Sequence, residues 1–371
     1  MADDGPSGVF PVTEPKGVPA IVLAGGCFGT LEGKVAHGLV RGGDRFTVRA
    51  VVDHTLAGRD AGELVTGIAT GVPIVSTVSE AMMCAADATV AVVGYAPHGG
   101  RLTAELRELL RECAAEGLDL VSGLHDYLSD DPELEDLVAS KGSTITDVRR
   151  PPPPSRLRFW DGSVHSVRST RVAVLGTDCG VGKRTTARLL TAELNSRGLT
   201  SELIYTGQTG WMQGGRYGII FDSLMVDFAA GELEGAILAC AADVDPDVMV
   251  IEGQAAMRRP GCSGGSTLML SAAVSGVILQ HAPGRCWFDG LAGLPSCRIP
   301  TLASEITLVE HFGVPVVAVA LNLAEVAAGE SHRVVAHCQA DSGNRPVVDP
   351  VNDGVGAIAE AVAHLVPDRT R

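Results

Sequence analysis

The sequence predicts an α/β protein of two domains, each a parallel sheet covered by helices. Three observations carry that expectation. Short apolar runs that close in Gly or Asp alternate with segments of helical pattern, as expected for parallel strands buried on both faces. Residues 149–154 read Arg-Arg-Pro-Pro-Pro-Pro, a stiff stretch that continues neither a helix nor a central strand. Glycine supplies 45 of 371 residues without a collagen period, too many for a helical bundle but suited to tight turns and close backbone approaches. At ~100–200 residues per domain the length allows two or three domains. The expected division is residues 1–148, a proline-rich linker and approach hairpin at 149–170, and residues 171–371.

Bulk composition narrows the function. The chain is 46% hydrophobic, enough to bury a core, which excludes global disorder. Lys plus Arg number 29 against 44 Asp plus Glu, a net charge of −15 that repels a phosphate backbone and argues against a nucleic-acid partner. Nine cysteines form no C-x-x-C pair, so neither a zinc site nor a disulfide framework is indicated. The start, Met-Ala-Asp-Asp-Gly-Pro, lacks the basic and apolar regions of a signal peptide, and no run of ~18 apolar residues suggests a membrane span. The expectation is a cytoplasmic protein with no membrane partner.

The elements follow in order. In the first domain, strands are expected at Val18–Ala24, Thr47–Val52 and Thr89–Val93, with helices near Gly33–Arg41, Val78–Ala85 and Thr103–Ala115. His98-Gly-Gly100 reads as a turn before the last of these helices. The second domain opens on the strand Arg171–Leu175, then a glycine turn and a helix over Lys183–Arg197. Further strands are expected at Leu203–Tyr205, Val248–Ile251, Gly276–Gln280 and Val314–Leu321, and a closing helix at Gly354–Leu365.

Chemistry concentrates at Gly176-Thr-Asp-Cys-Gly-Val-Gly-Lys-Arg-Thr-Thr186, between a strand and a helix, the context a P-loop needs. Gly180 and Gly182 let successive backbone N–H groups point at phosphate oxygens, and the helix N-terminus adds partial positive charge. Lys183 reaches the outer phosphates. Residues Gly176, Thr177, Asp178, Cys179, Gly180, Val181, Gly182, Lys183, Arg184, Thr185 and Thr186 form the expected cofactor cradle. Arg184 displaces the usual hydroxyl, so Thr185 or Thr186 must serve Mg²⁺. Glu252 ends the apolar strand Val248–Ile251 and is a second metal or catalytic candidate, with Asp178 inside the loop a third. A helix-capping or salt-bridged carboxylate is the plain alternative for Glu252, and a small space-filling role for Cys179.

These stretches resemble P-loop enzymes that include dethiobiotin synthetase, in the glycine loop and in Val250-Ile-Glu-Gly253. The resemblance implies ATP with Mg²⁺ held by Asp178, Thr185 and Glu252, and recognition of the base by Asn322. Such synthetases carry a Lys after the second strand, where this chain has Tyr205-Thr-Gly-Gln-Thr-Gly-Trp211. From residue 18 to 365 the chain also resembles a bacterial family, long classed as a domain of unknown function, whose characterised members are D-glutamate N-acetyltransferases. Its marks are Phe28-Gly-Thr30, Lys34-Val-Ala-His-Gly-Leu-Val-Arg41, Gly123-Leu-His-Asp-Tyr-Leu-Ser-Asp-Asp-Pro132, the glycine loop, the Tyr205–Trp211 stretch, Ile251-Glu-Gly-Gln254 and Pro346-Val-Val-Asp-Pro-Val-Asn-Asp-Gly354. The family implies a Rossmann-like N-terminal domain, a P-loop C-terminal domain, a homo-oligomer, and N-acylation of a small amino acid. Gln208 and Gln254 enter as substrate-binding candidates through these motifs. After Gln254 the family continues with small residues and a Ser. This chain has Ala255-Ala-Met-Arg-Arg-Pro260, which leaves acyl donor and substrate preference open.

Other candidates are read from the residues. Gly25-Gly-Cys-Phe-Gly-Thr-Leu-Glu-Gly33 is a loose glycine loop and Asp53 closes the next strand, so an anion or ribose site stands against mere close packing. Lys34, His37 and Arg41 share one helix face, for a substrate carboxylate or for solvent. His125 beside Asp126 is a candidate general base or a turn residue. Arg258 and Arg259 are candidate clamps for an anionic substrate or a solvated pair, and Gly264-Gly-Ser-Thr267 an anion nest or a helix start.

A phosphate cradle accepts the pyrophosphate of ATP or of acetyl-CoA, so the loop alone leaves the donor open. The expected function is an enzyme that forms an amide on the amine of a small, acidic amino acid, with Lys183, Glu252, Arg258 and His125 as catalytic candidates. The alternatives are an ATP-dependent carboxylate–amine ligase and a non-catalytic nucleotide sensor.

Overall fold

A computed structural model describes residues 17–261, 264–327 and 329–367, apart from the side chain of His98. The N-terminal hexapeptide and Cys262 lie outside the described residues. The chain packs as two compact units: the described residues up to Pro151 together with Gln208–Gly215, and Pro152–Gly207 together with those from Arg216 onward.

The first unit is a Rossmann-like sheet of six strands: β1 (Val18–Leu23), β2 (Phe46–Val52), β3 (Ile74–Val75), β4 (Val90–Val93), β5 (Asp119–Ser122) and β6 (Ile145–Asp147). They run parallel in the order β3-β2-β1-β4-β5-β6, so β1 lies beside β4 and the strand order reverses there. Strands β1 and β4 are nearly continuous apolar runs because helices cover both faces. The helices Lys34–Val40, Val78–Cys84 and Ala104–Ala115 lie where the apolar pattern places them. Their starts have local causes. Thr77 and Glu80 form a capping box, and Thr103 accepts the Leu106 N–H. The helix Pro132–Lys141, between an Asp131 cap and a left-handed Gly142, and the strands β5 and β6 were not anticipated. The His98–Gly100 turn does precede the Thr103 cap.

The second unit holds a seven-stranded parallel sheet: β7 (Thr170–Gly176), β8 (Ser201–Tyr205), β9 (Tyr217–Gly218), β10 (Val248–Glu252), β11 (Gly276–His281), β12 (Val316–Leu321) and β13 (Val347–Val348). The order is β13-β12-β11-β7-β10-β8-β9. Strand β7 is therefore central, and all seven of its residues are buried. One face packs on the helices Lys183–Ser196 and Gly356–Ala363 through Leu190, Leu194, Ile358 and Val362. The other packs on Val226–Asp243, Gly265–Ser271 and Leu302–His311 through Leu233, Ile237, Leu268 and Ile306.

Residues 155–170 differ from the expected hairpin. They form two 3₁₀ turns, Pro154–Arg156 and Ser163–Ser166, with no strand before Thr170. The cause is the helix Val226–Asp243. Its buried Glu234 accepts the N–H groups of Asp161 and Val164 at 3.0 Å each, and its buried Glu232 accepts that of Arg158 at 2.8 Å. Carboxylates from another element satisfy backbone that would otherwise need a sheet partner. No helix among the described residues is long and apolar enough to cross a membrane.

Candidate functional site

The glycine loop sits at the carboxyl end of the central strand β7, where open α/β sheets bind ligands. Gly180 and Gly182 take φ of +65° and +110°, left-handed values that a Cβ disfavours. They swing the chain into the helix Lys183–Ser196, whose N-cap is Gly182 and whose first-turn N–H groups receive no side-chain cap. Val181 is buried and anchors the loop. A Cβ on Gly176 would come within 2.8 Å of Lys183 Cδ, so glycine there makes room for the lysine stem.

Lys183 is buried, and its ammonium donates to the carbonyls of Asp178 at 2.7 Å and Ala255 at 2.9 Å. Ala255 presents its carbonyl from a strained φ of +49°. Thr186 donates its hydroxyl to Gln280 Oε1 at the end of β11, while Thr185 and Arg184 are half-buried on the same turn. Asn322, at the end of β12, donates Nδ2–H to the Val181 carbonyl at 3.1 Å. Asn322 thus braces the loop from the side where base recognition was expected.

Glu252 closes β10, the neighbour of β7, and is buried. Its carboxylate accepts the Thr206 N–H at 3.3 Å, and its carbonyl accepts the Thr206 hydroxyl at 2.7 Å. Burial pushes its pKa up, opposed by the positive charge of Arg184 and Lys183. Gln254 ties back to the Thr206 carbonyl at 2.9 Å. Glu252 is therefore a buried carboxyl whose proton affinity burial raises, beside two cations and one strand from a phosphate cradle.

Asp178, an expected Mg²⁺ ligand, is engaged otherwise. One oxygen accepts from Arg285 and from the Asp289 N–H at 2.8 Å each, and the other faces Arg259 at 3.5 Å. Arg285 also donates to the Cys179 carbonyl at 2.8 Å. The protein's own arginines take this carboxylate, and among the described residues no three His, Cys, Asp or Glu side chains converge as a metal site. Arg258 donates to Ser304 Oγ at 2.8 Å and faces buried Glu305 at 3.4 Å, so both arginines expected as substrate clamps are engaged by the protein. Gly264 packs on the Phe221 ring, where a Cβ would come within 2.6 Å, which favours the helix-start reading.

In the first unit, Asp53 is fully buried and spends both oxygens on its own loops: on the Phe28 N–H at 2.8 Å, and on the Thr55 N–H and hydroxyl at 2.9 and 2.6 Å. It shapes the Gly25–Gly33 loop rather than standing open to a ribose. His37 bonds the Phe28 carbonyl through Nε2 at 2.5 Å and meets the Phe28 ring edge-on, and burial lowers its pKa. Lys34 and Arg41 are exposed on the same helix. His125 is exposed, and its neighbour Asp126 is committed to the Leu102 N–H at 2.9 Å and to Arg101 at 3.0 Å.

The family-like motifs meet at Gln208–Gly215. Gln208 is buried against Gly123, where a Cβ would stand 1.4 Å from its Oε1. Gln213 donates to the carbonyls of Gly38 at 2.6 Å and Gly42 at 3.1 Å. The Arg45 guanidinium lies 4.0 Å from the Trp211 ring centre and donates to the Trp211 carbonyl at 2.8 Å. The motif residues Gly38, Gly123 and Gln208 thus dock one segment, a packing role that sequence spacing does not reveal. Gln280, His281 and Arg285 stand in no motif of the sequence, and Thr206 lies within the Tyr205–Trp211 motif with no role attached to it. Gln280 and His281 left a trace, as polar residues closing an apolar run.

The comparisons agree with this architecture. Residues 158–359 match the family model described as "Domain of unknown function (DUF1611_C) P-loop domain", and residues 54–151 match "Domain of unknown function (DUF1611_N) Rossmann-like domain". A D-glutamate N-acetyltransferase from Tritonibacter scottomollicae is 32% identical over 287 residues, 75% of this chain and 82% of the relative. Another D-glutamate N-acetyltransferase, from a Pseudoalteromonas species, is 28% identical over 274 residues, 72% and 79% of the two chains. The crystal structure of a DUF1611 family protein from Anabaena variabilis superposes with a TM-score of 0.84 at 31% identity, covering 94% of this chain and 99% of that one. With two family models on its two sheets, the larger spanning more than half of its length, the chain belongs to the DUF1611 family.

Proposed function

We propose that this N-acyltransferase holds the pyrophosphate of acetyl-CoA on the loop Gly176–Thr186 and transfers the acetyl group to the amine of a small, acidic amino acid. The observation that carries the reading is Glu252, a buried carboxyl at the end of β10 whose pKa burial raises. A general base works best when its pKa lies near the working pH, and an amine must lose a proton to attack. The names of two relatives, each a D-glutamate N-acetyltransferase, support the choice of acyl group and of an acidic amine.

The residues divide the work. Lys183 exchanges the Asp178 and Ala255 carbonyls for phosphate oxygens, and the first-turn N–H groups and the turns at Gly180 and Gly182 complete the cradle. Glu252 takes the amine proton as the C–N bond forms. The C–S bond then breaks, and the proton passes to the leaving thiolate. Backbone N–H groups hold the developing oxyanion.

A second reading rests on Thr185. It stands on the first helical turn, and β10 brings Glu252 to the neighbouring strand end. Those two residues would hold the Mg²⁺ of ATP, which would supply phosphoryl transfer to a carboxylate before amide closure. The test is incubation with acetyl-CoA and a panel of D- and L-amino acids, following free thiol. Thiol release that depends on an acidic amino acid is expected. Equal release with and without any amino acid would overturn the reading.

A further inference from the structure

The second unit contains a cavity of about 480 Å³, none of whose lining residues carries a role in the proposed transfer. It opens at the carboxyl end of β11, beside the glycine loop. His281, Arg285, Arg298, Thr301, Arg333 and His337 are among the residues that line it.

Three arginines in one small cavity are unusual in a chain of net charge −15. Two of them have carboxylate partners. Arg285 is shared between Asp178 and Glu325, and Arg333 pairs with Glu330. Arg298 instead lies over the Trp287 ring, 5.0 Å from its centre, with no carboxylate partner among the described residues. The helix Leu302–His311 begins at the cavity wall, with Thr301 as its N-cap, so its first-turn N–H groups add to the positive side. The one acidic lining residue, Asp341, sits 4.0 Å from His337.

Two lining residues also touch the glycine loop. The buried His281 bonds the Thr177 hydroxyl through Nδ1 at 3.0 Å. Arg285, with a side chain only 8% exposed, binds Asp178 and the Cys179 carbonyl at 2.8 Å each. An occupant of the cavity would therefore bear on the loop through side chains already bonded to it.

We infer that this cavity is a second ligand site, separate from the phosphate cradle, that takes a small molecule carrying at least two oxyanion charges, with Arg298 as its principal contact and with Arg285 and His281 linking occupancy to the glycine loop. A dicarboxylate and a phosphate share the needed chemistry. Planar Arg298 binds either through paired N–H donors. The proposal does not depend on the acyl-transfer reading.

Trp287 beneath Arg298 supplies the readout. Intrinsic fluorescence is titrated with glutarate and, separately, with inorganic phosphate, on the wild type, Arg298→Gln and Lys183→Ala. Arg298 is exposed, so its replacement leaves the core intact. A saturable change is expected with at least one probe. It should weaken about tenfold or more in Arg298→Gln, the loss of one charge-assisted bond, and persist in Lys183→Ala. Response to glutarate alone assigns a carboxylate ligand, and response to phosphate alone a phosphate ligand. No saturable response to either probe overturns the inference, as does equal response in Arg298→Gln. Loss of the response in Lys183→Ala also overturns it, because the anion would then sit on the glycine loop. Acetyl transfer by Arg298→Gln, measured in parallel, should keep the wild-type KM for the acidic amino acid; a raised KM would make the cavity the acceptor's own site and overturn the inference.

Discussion

Lys183 and Glu252 are buried ionisable groups, and the chain handles each differently. Two backbone carbonyls hold the lysine, so an arriving phosphate replaces neutral acceptors with an anion and gains a charge-assisted bond. Lys183→Ala should weaken acetyl-CoA binding about tenfold to a hundredfold, as titration calorimetry can check. Glu252 is a base only when ionised, and burial raises its pKa. Activity should therefore climb as pH rises through that pKa. Glu252→Gln should remove this limb from the pH–rate profile and lower the rate by about 10²–10⁴. Both residues were legible in the sequence, because a Lys after a glycine turn and an acid closing an apolar strand are local patterns. Arg285 was not. Its partner Asp178 is 107 residues away, and only the pairing of β11 with β7 brings their strand ends together. The same distance effect hid the commitment of Asp178, Arg258 and Arg259 to protein partners.

At the scale of elements, strands with apolar runs and helices with clean caps could be read directly. The helix Val226–Asp243 was missed because it carries apolar residues around most of its girth, which blurs the helical period. Its two buried glutamates also explain the absent hairpin at 155–170. Glu234→Ala should strand the N–H groups of Asp161 and Val164 and destabilise this unit by about 2–4 kcal/mol, read by denaturant unfolding. Gly123→Ala tests the docking of the Gln208–Gly215 segment. A methyl group 1.4 Å from Gln208 Oε1 must displace that side chain, at a cost of about 1–3 kcal/mol. An unchanged melting temperature in Gly123→Ala would show that the segment is not clamped as described.

Across the whole molecule, two parallel sheets each carry their own apolar core, and one segment from mid-sequence, Gln208–Gly215, completes the first unit. That return was invisible to a linear reading, which drew domains as consecutive stretches. A fragment ending at Pro151 should melt lower than the same fragment joined through a flexible linker to Gln208–Gly215, since the latter buries Trp211 and Gln213. Equal melting would contradict the assignment of that segment. The glycine-rich composition makes sense at this scale too: glycines such as Gly180 and Gly182 shape the loop at a strand end, where Lys183 supplies local positive charge in an acidic chain. The most direct measurement of the account is a head-to-head assay with one acidic amino acid as acceptor, offering either acetyl-CoA or Mg-ATP with acetate. The account predicts free thiol in step with N-acetyl product from acetyl-CoA, reduced in Lys183→Ala at subsaturating acetyl-CoA, and no ADP from the second mixture. ADP release that requires both acetate and the amine, with no thiol from acetyl-CoA, would contradict it.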